Sequence, residues 1–140
     1  MTLVRFLKIL LYQVILFLFL GCKSEDQDNS KDLKLAKYEN GKLVYRQHCA
    51  PCHSLPHKHI DGPSLFNNLF ERLPNPSQQY FMNFIKDSKI LENSGDKYFL
   101  GIQKKYSVNI DHLYKNKLSD KDIQNIILYI MVSDKIKNKN

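Results

Sequence analysis

The chain has no block of clustered basic residues with aromatics between them, although its formal net charge is +7. Its basic side chains are 18 Lys and only 3 Arg, scattered from end to end. Nucleic-acid binding gathers such groups on one face, so no nucleic-acid partner is expected. The charge reads as a Lys-rich background that would at most steer the protein toward an acidic partner. No internal repeat is present, and no segment of any length alternates apolar and polar residues as a half-buried strand does. An all-α domain is what remains. The apolar run from Ile9 to Leu20 falls short of the roughly 20 residues that a membrane-spanning helix needs. No paired acid and base and no activated nucleophile stands out, so the chain is not expected to be an enzyme. Cysteine is scarce and odd in number, at three. In an exported chain an odd count raises the question of a free thiol. Each of Cys22, Cys49 and Cys52, however, has neighbours that point to a covalent modification other than a disulfide. With 140 residues, the chain has room for one small domain and its appendages. A domain of roughly 100 residues buries only a modest share of its surface, and a large apolar cofactor would help to fill its core.

The first 21 residues read as a signal peptide. Arg5 and Lys8 precede the apolar run, no acidic residue occurs, and the small Gly21 closes the segment. Cys22 follows directly. Leu18-Phe19-Leu20-Gly21-Cys22 resembles a bacterial lipoprotein signal, in which the cysteine is lipidated and becomes the first residue of the mature chain. The resemblance implies a membrane partner through a lipid anchor, since more than one acyl chain gives stable attachment. Lys23 to Asp32 contains no apolar residue and is expected, as part of a 22–33 tether, to be flexible. The domain itself is expected over 34–136, followed by a polar tail at 137–140, with fraying expected from Lys135 to Asn140.

Four helical stretches are legible within that domain. The first, about Lys34 to His48, leads straight into the cysteines, and His48 reads as an exposed helix position. A short turn around Leu65 to Leu73 follows the Gly62-Pro63 break. A third stretch covers about Pro76 to Lys86, with Tyr80, Phe81, Phe84 and Ile85 apolar and Pro76 suited to a first turn. A weaker one runs from Asp96 to Lys105. The last helix is the clearest and makes a fifth: Ser119 to Asp122 resembles a capping box with Asp in place of Glu. Ile123, Ile126, Ile127 and Ile130 then form one stripe at i, i+3, i+4 and i+7.

Cys49-Ala50-Pro51-Cys52-His53 is C-x-x-C-H, the attachment pattern of c-type haem. Two thiols three positions apart on a turn reach the two vinyl groups on one porphyrin edge, and the adjacent imidazole reaches the iron. Two other chemistries use the same residues. A thiol–disulfide pair would need a strand before the motif and a βαβ context. A copper or zinc site would draw on His57 and His59 and would need a second, well-spaced ligand pair.

Further residues make the pattern specific. Gly41 to His53 resembles the first helix of the small soluble monohaem cytochromes c, which read G-x-x-x-[FY]-x-x-x-C-x-x-C-H. Gly62-Pro63-Ser64-Leu65 resembles the G-P-x-L loop of that family, and Leu118 to Ile130 resembles its terminal helix. The resemblance covers about Leu35 to Ile136. It implies a cytochrome c-like bundle of about four to five helices around one covalently bound haem c. Cys49 and Cys52 would attach the haem, and His53 would be the proximal ligand. The Pro63 carbonyl would accept the proton on its Nδ1. Gly41 and Tyr45 would let the first helix cross the last closely, against Tyr129.

The family often places Met six residues before the Leu that precedes the terminal helix; six residues before Leu118 stands His112. His112 is therefore the expected sixth ligand, with Met82 as the alternative; Met82 and Met131 fall inside predicted helices, where core packing accounts for them. The expected function is electron transfer between redox proteins of a respiratory chain, in the cell envelope or periplasm. A haem-based sensor or peroxidase-like protein with a displaceable sixth ligand stays open, and so does a copper- or zinc-handling lipoprotein.

Overall fold

Six helices make up the regular elements among the described residues of the computed structural model. The structure describes residues 26–53, 55, 63–106 and 111–138. The signal segment 1–21, Cys22, His57, His59 and Gly62 lie outside them. The helices are α1 (Asp26–His48), α2 (Leu69–Arg72), α3 (Ser77–Lys86), α4 (Ser88–Asn93), α5 (Lys97–Tyr106) and α6 (Asp120–Lys137). The chain divides into two units, Met1–Leu33 and Lys34–Asn140, and the second holds the core and the site. No helix among the described residues is long and apolar enough to cross a membrane.

The last helix organises the core. Ser119 caps it: the Ser119 hydroxyl accepts from the Asp122 N–H at 3.2 Å, and the Asp122 carboxylate accepts from the Ser119 N–H at 3.0 Å. Both bonds satisfy amides that a helix start leaves without partners. Ile123, Ile126, Ile127 and Ile130 are then all buried, as their spacing requires. Where α1 crosses α6, a Cβ added to Gly41 would fall onto the backbone carbonyl of Asn125. Only a residue without a side chain lets two backbones approach so closely. A cluster of four aromatic rings packs at that crossing. Tyr129 lies 5.4 Å from Tyr38, 5.3 Å from Tyr45 and 5.6 Å from Phe66, centroid to centroid. Tyr45 and Phe66 meet edge-on at 5.1 Å. Removing the ring at the centre of this cluster leaves a cavity that its neighbours cannot refill. Tyr129→Ala should cost about 3–5 kcal/mol, by analogy with other large aromatic truncations. A thermal melt checks this, and a melt identical to the parent's would remove the cluster from the account of stability.

The structure departs from the sequence reading in four places. Helix α1 begins at Asp26, so residues 26–33 of the expected tether are helical. Once a helix is nucleated, each added residue gains one backbone hydrogen bond for one fixed residue, and polar composition alone does not stop it. Helix α6 continues to Lys137, beyond the start of the expected fraying at Lys135. Its end is tied down: Lys137 Nζ donates to the Phe66 carbonyl at 3.4 Å, and Asn138 Nδ2 donates to Asn68 Oδ1 at 3.1 Å. Helix α2 is a single turn from Leu69, and Pro76 stands just before α3 as its N-cap. Helix α4 was not expected at all, because six residues are too few to display a 3.6-residue period.

Candidate functional site

The C-x-x-C-H segment sits at the point where α1 ends and the chain turns back on itself. The amides of Cys49 and Ala50 both donate to the Tyr45 carbonyl, at 2.8 and 2.9 Å. The amides of Cys52 and His53 then donate to the Cys49 carbonyl, at 3.1 and 2.8 Å. This tight turn brings both sulfurs and the His53 ring to one cleft, with Cys49 buried and Cys52 exposed. Burial, aided by the neighbouring Cys52, pushes the Cys49 thiol up to about 12. An exchange-active dithiol needs the opposite, a thiolate stabilised at neutral pH. The motif also follows a helix and not a strand. Both features count against the thiol–disulfide reading.

His53 is oriented by one bond: its Nδ1 lies 3.0 Å from the Pro63 carbonyl oxygen. A carbonyl only accepts, so the proton sits on Nδ1 and the Nε2 lone pair is left available. Burial lowers the His53 pKa, and the Pro63 bond partly offsets it. The ring is thus a neutral donor at physiological pH.

The opposite wall is built by the segment before α6. It carries His112, whose ring centroid is 6.2 Å from that of His53 with the planes 22° apart. Burial, and next the neighbouring His53, lower the His112 pKa to about 4, against a smaller opposing effect of Asp111. Its Nδ1 is buried and has no hydrogen-bond partner in the structure. Phe84 packs 5.4 Å from the ring. Leu65, Ile85 and Leu118 line the cleft between the two histidines, together with His48 and Tyr114.

These residues fit a c-type haem. Two imidazole nitrogens bound to one metal ion at about 2 Å, with each ring centre about 1 Å further on, put the ring centres about 6 Å apart. The observed 6.2 Å matches that spacing. Two thiols lie on one edge of the cleft, the lining between is apolar, and a buried imidazole nitrogen lacks a partner. Among the described residues, no group of three or more His, Cys, Asp or Glu is gathered as a site for a bare metal ion.

The structure therefore brings together Cys49, Cys52, His53, Pro63 and His112. Met82 packs against the core, Met131 accepts from Gln78 Nε2 at 3.6 Å, and neither lines the cleft. His48, read as an exposed helix position, is half-buried and lines the cleft. Its carbonyl accepts from the Tyr114 hydroxyl at 3.2 Å, and the two rings lie 6.0 Å apart. Sequence reasoning also missed Tyr114 and Phe84 as neighbours of His112. Tyr114 is two residues from His112 and lies against it, a proximity that could have been suspected. Phe84 comes from α3, and nothing local announces it.

The family model described as Cytochrome c matches residues 38–133. That span holds the helix crossing, Cys49 and Cys52, all three histidines of the cleft and most of the terminal helix. The chain matches no curated protein and no solved structure at a level that would establish kinship.

Proposed function

This chain belongs to the cytochrome c family, and on that premise we propose that it is a membrane-anchored, extracytoplasmic carrier whose haem iron is held between His53 and His112. The family domain binds one covalent c-type haem and serves haem-based electron transfer. The bound haem supplies a one-electron ferrous–ferric couple.

Cys49 and Cys52 hold the group by thioether links, so it does not dissociate. His53 gives its Nε2 lone pair, with its ring orientation and tautomer set by the Pro63 carbonyl. Leu65, Ile85 and Leu118 give the cleft an apolar lining that would limit the access of water to the haem. The observation that carries the carrier reading is the second imidazole facing His53 at 6.2 Å. A sensor or peroxidase-like protein needs an open or easily vacated position there, and His112 closes it. Redox titration of the purified protein should give a single reversible one-electron wave, and the ferrous form should bind carbon monoxide slowly. Immediate carbon monoxide binding by a five-coordinate ferrous parent would favour the sensor or peroxidase reading instead.

The anchoring part rests on the sequence of the first 22 residues. Lipidation at Cys22 would leave the domain outside the cytoplasm, where redox proteins of a respiratory chain would be its partners. Cys22→Ala should release the domain or leave an unprocessed precursor in the membrane, with the haem spectrum unchanged. A mature N-terminus at any other residue, determined on the parent, would contradict the lipid anchor.

A further inference from the structure

His112 lies in a stretch without regular secondary structure, between residues 107–110, which lie outside the described set, and the cap of α6. A ligand on such a segment needs something to hold its backbone. Ser88 makes two bonds to it. The His112 N–H donates to Ser88 Oγ at 2.9 Å, and the Ser88 N–H donates to the His112 carbonyl at 3.0 Å. Together they clasp one residue between two strictly local atoms of another, across 24 positions of sequence. Ser88 is fully buried.

Ser88 is the first residue of α4, directly after its N-cap Asp87. The contacts beyond the clasp continue it: the Tyr114 N–H donates to the Ile85 carbonyl at 3.3 Å, and the Lys115 N–H to the Lys86 carbonyl at 3.1 Å. Lys115 Nζ also pairs with Asp87 Oδ2 at 3.1 Å. The segment from His112 to Lys115 is thus laid along the junction of α3 and α4. Ser88 is the contact that grips the histidine itself.

We propose that Ser88 is a positioning residue for the sixth iron ligand, holding His112 at the distance from His53 that one iron requires; this rests on the reading of His112 as that ligand. Without the hydroxyl, the His112 amide loses its buried acceptor and the ligand loop relaxes. The imidazole then leaves the iron more often, while the cysteines and His53 are untouched.

The test uses the full-length holoprotein and the rate at which its ferrous form binds carbon monoxide, a probe that binds only when the sixth ligand is off. Ser88→Ala should bind it about five- to tenfold faster than the parent, the equivalent of about one hydrogen bond. Ser88→Thr, which keeps the hydroxyl, should stay near the parent's rate. His112→Ala run beside them separates the two readings. If His112→Ala binds no faster than the parent, the ligand assignment fails. If His112→Ala binds fast and Ser88→Ala binds at the parent's rate, the ligand stands and the role of Ser88 is overturned. Equal acceleration in the alanine and threonine variants would also overturn it, because packing and not the hydroxyl would then be responsible. Should Ser88→Ala yield no folded protein, hydrogen exchange of the parent's His112 amide gives the answer. Protection well above that of an open loop supports the clasp, and exchange at the loop rate overturns it.

Discussion

Alanine in place of His112 is expected to leave the protein folded and its haem attached, but to open the iron. The parent should be low-spin in both oxidation states if, as proposed, His53 and His112 both bind the iron. The variant should become high-spin, and added imidazole should restore the parent's spectrum by filling the vacated place. The potential should also change, since the axial pair is among the strongest influences on it and spans about 0.8 V across haem proteins. With two histidines and no methionine, the parent should sit low within the range of c-type haems. Acid gives an independent reading. An iron ligand must be a neutral imidazole, and burial together with His53 holds the His112 pKa at about 4, below the ordinary 6.5. Between those values the folded protein keeps the ring neutral while the unfolded chain binds a proton. Stability from this group is therefore fully present above pH about 6.5 and declines as pH falls toward about 4. Coordination to the iron would compete with that proton as well, so the low-spin spectrum should hold through mild acid and be lost only in stronger acid. A low-spin spectrum that survives His112→Ala unchanged would rule the ligand out.

The second large effect is expected far from the iron, at Gly41. On an exposed helix face, alanine in place of glycine stabilises by about 1 kcal/mol. At Gly41 the sign should reverse. The added Cβ meets the Asn125 carbonyl, which belongs to the backbone of α6 and has no rotamer by which to move aside. One helix has to shift, and the ring cluster of Tyr38, Tyr45, Phe66 and Tyr129 shifts with it. Gly41→Val adds two methyl groups to the same clash and should cost about 3 kcal/mol, toward the upper end for overpacked cores. In a domain of this size each kcal/mol lowers the melting temperature by about 4–8 °C. A graded loss from Gly to Ala to Val in a thermal melt is the expected pattern. An alanine variant that melts at or above the parent would mean that the two helices do not cross there.

The parts of this protein that were legible in its sequence are those written in short segments. Five consecutive residues state the attachment chemistry, because the thiols and the proximal imidazole must lie on one turn. The α6 start is equally local, since Ser119 and Asp122 satisfy each other's amides three residues apart. Gly41 and Pro63 were legible only through their spacing from those motifs. What the sequence conceals is contact between distant segments. Ser88 carries no sign of its role, because its partner lies 24 residues on, and the helix it begins is too short to be read. His48 looks exposed from its polarity, yet Tyr114 folds over it from the far side of the cleft. The ends of the helices were misjudged for a related reason. A polar composition forecast a loose tail after Lys135, whereas Lys137 and Asn138 bond to Phe66 and Asn68, roughly half the chain away.

The central claim is that Cys49 and Cys52 hold one haem covalently. The most direct test is the intact mass of the purified polypeptide under denaturing conditions, after expression in a host that matures c-type haem. The account predicts a chain heavier than its sequence by one haem, with both Cys49 and Cys52 blocked to thiol reagents. A mass matching the unmodified polypeptide, with two reactive thiols at those positions, would contradict it.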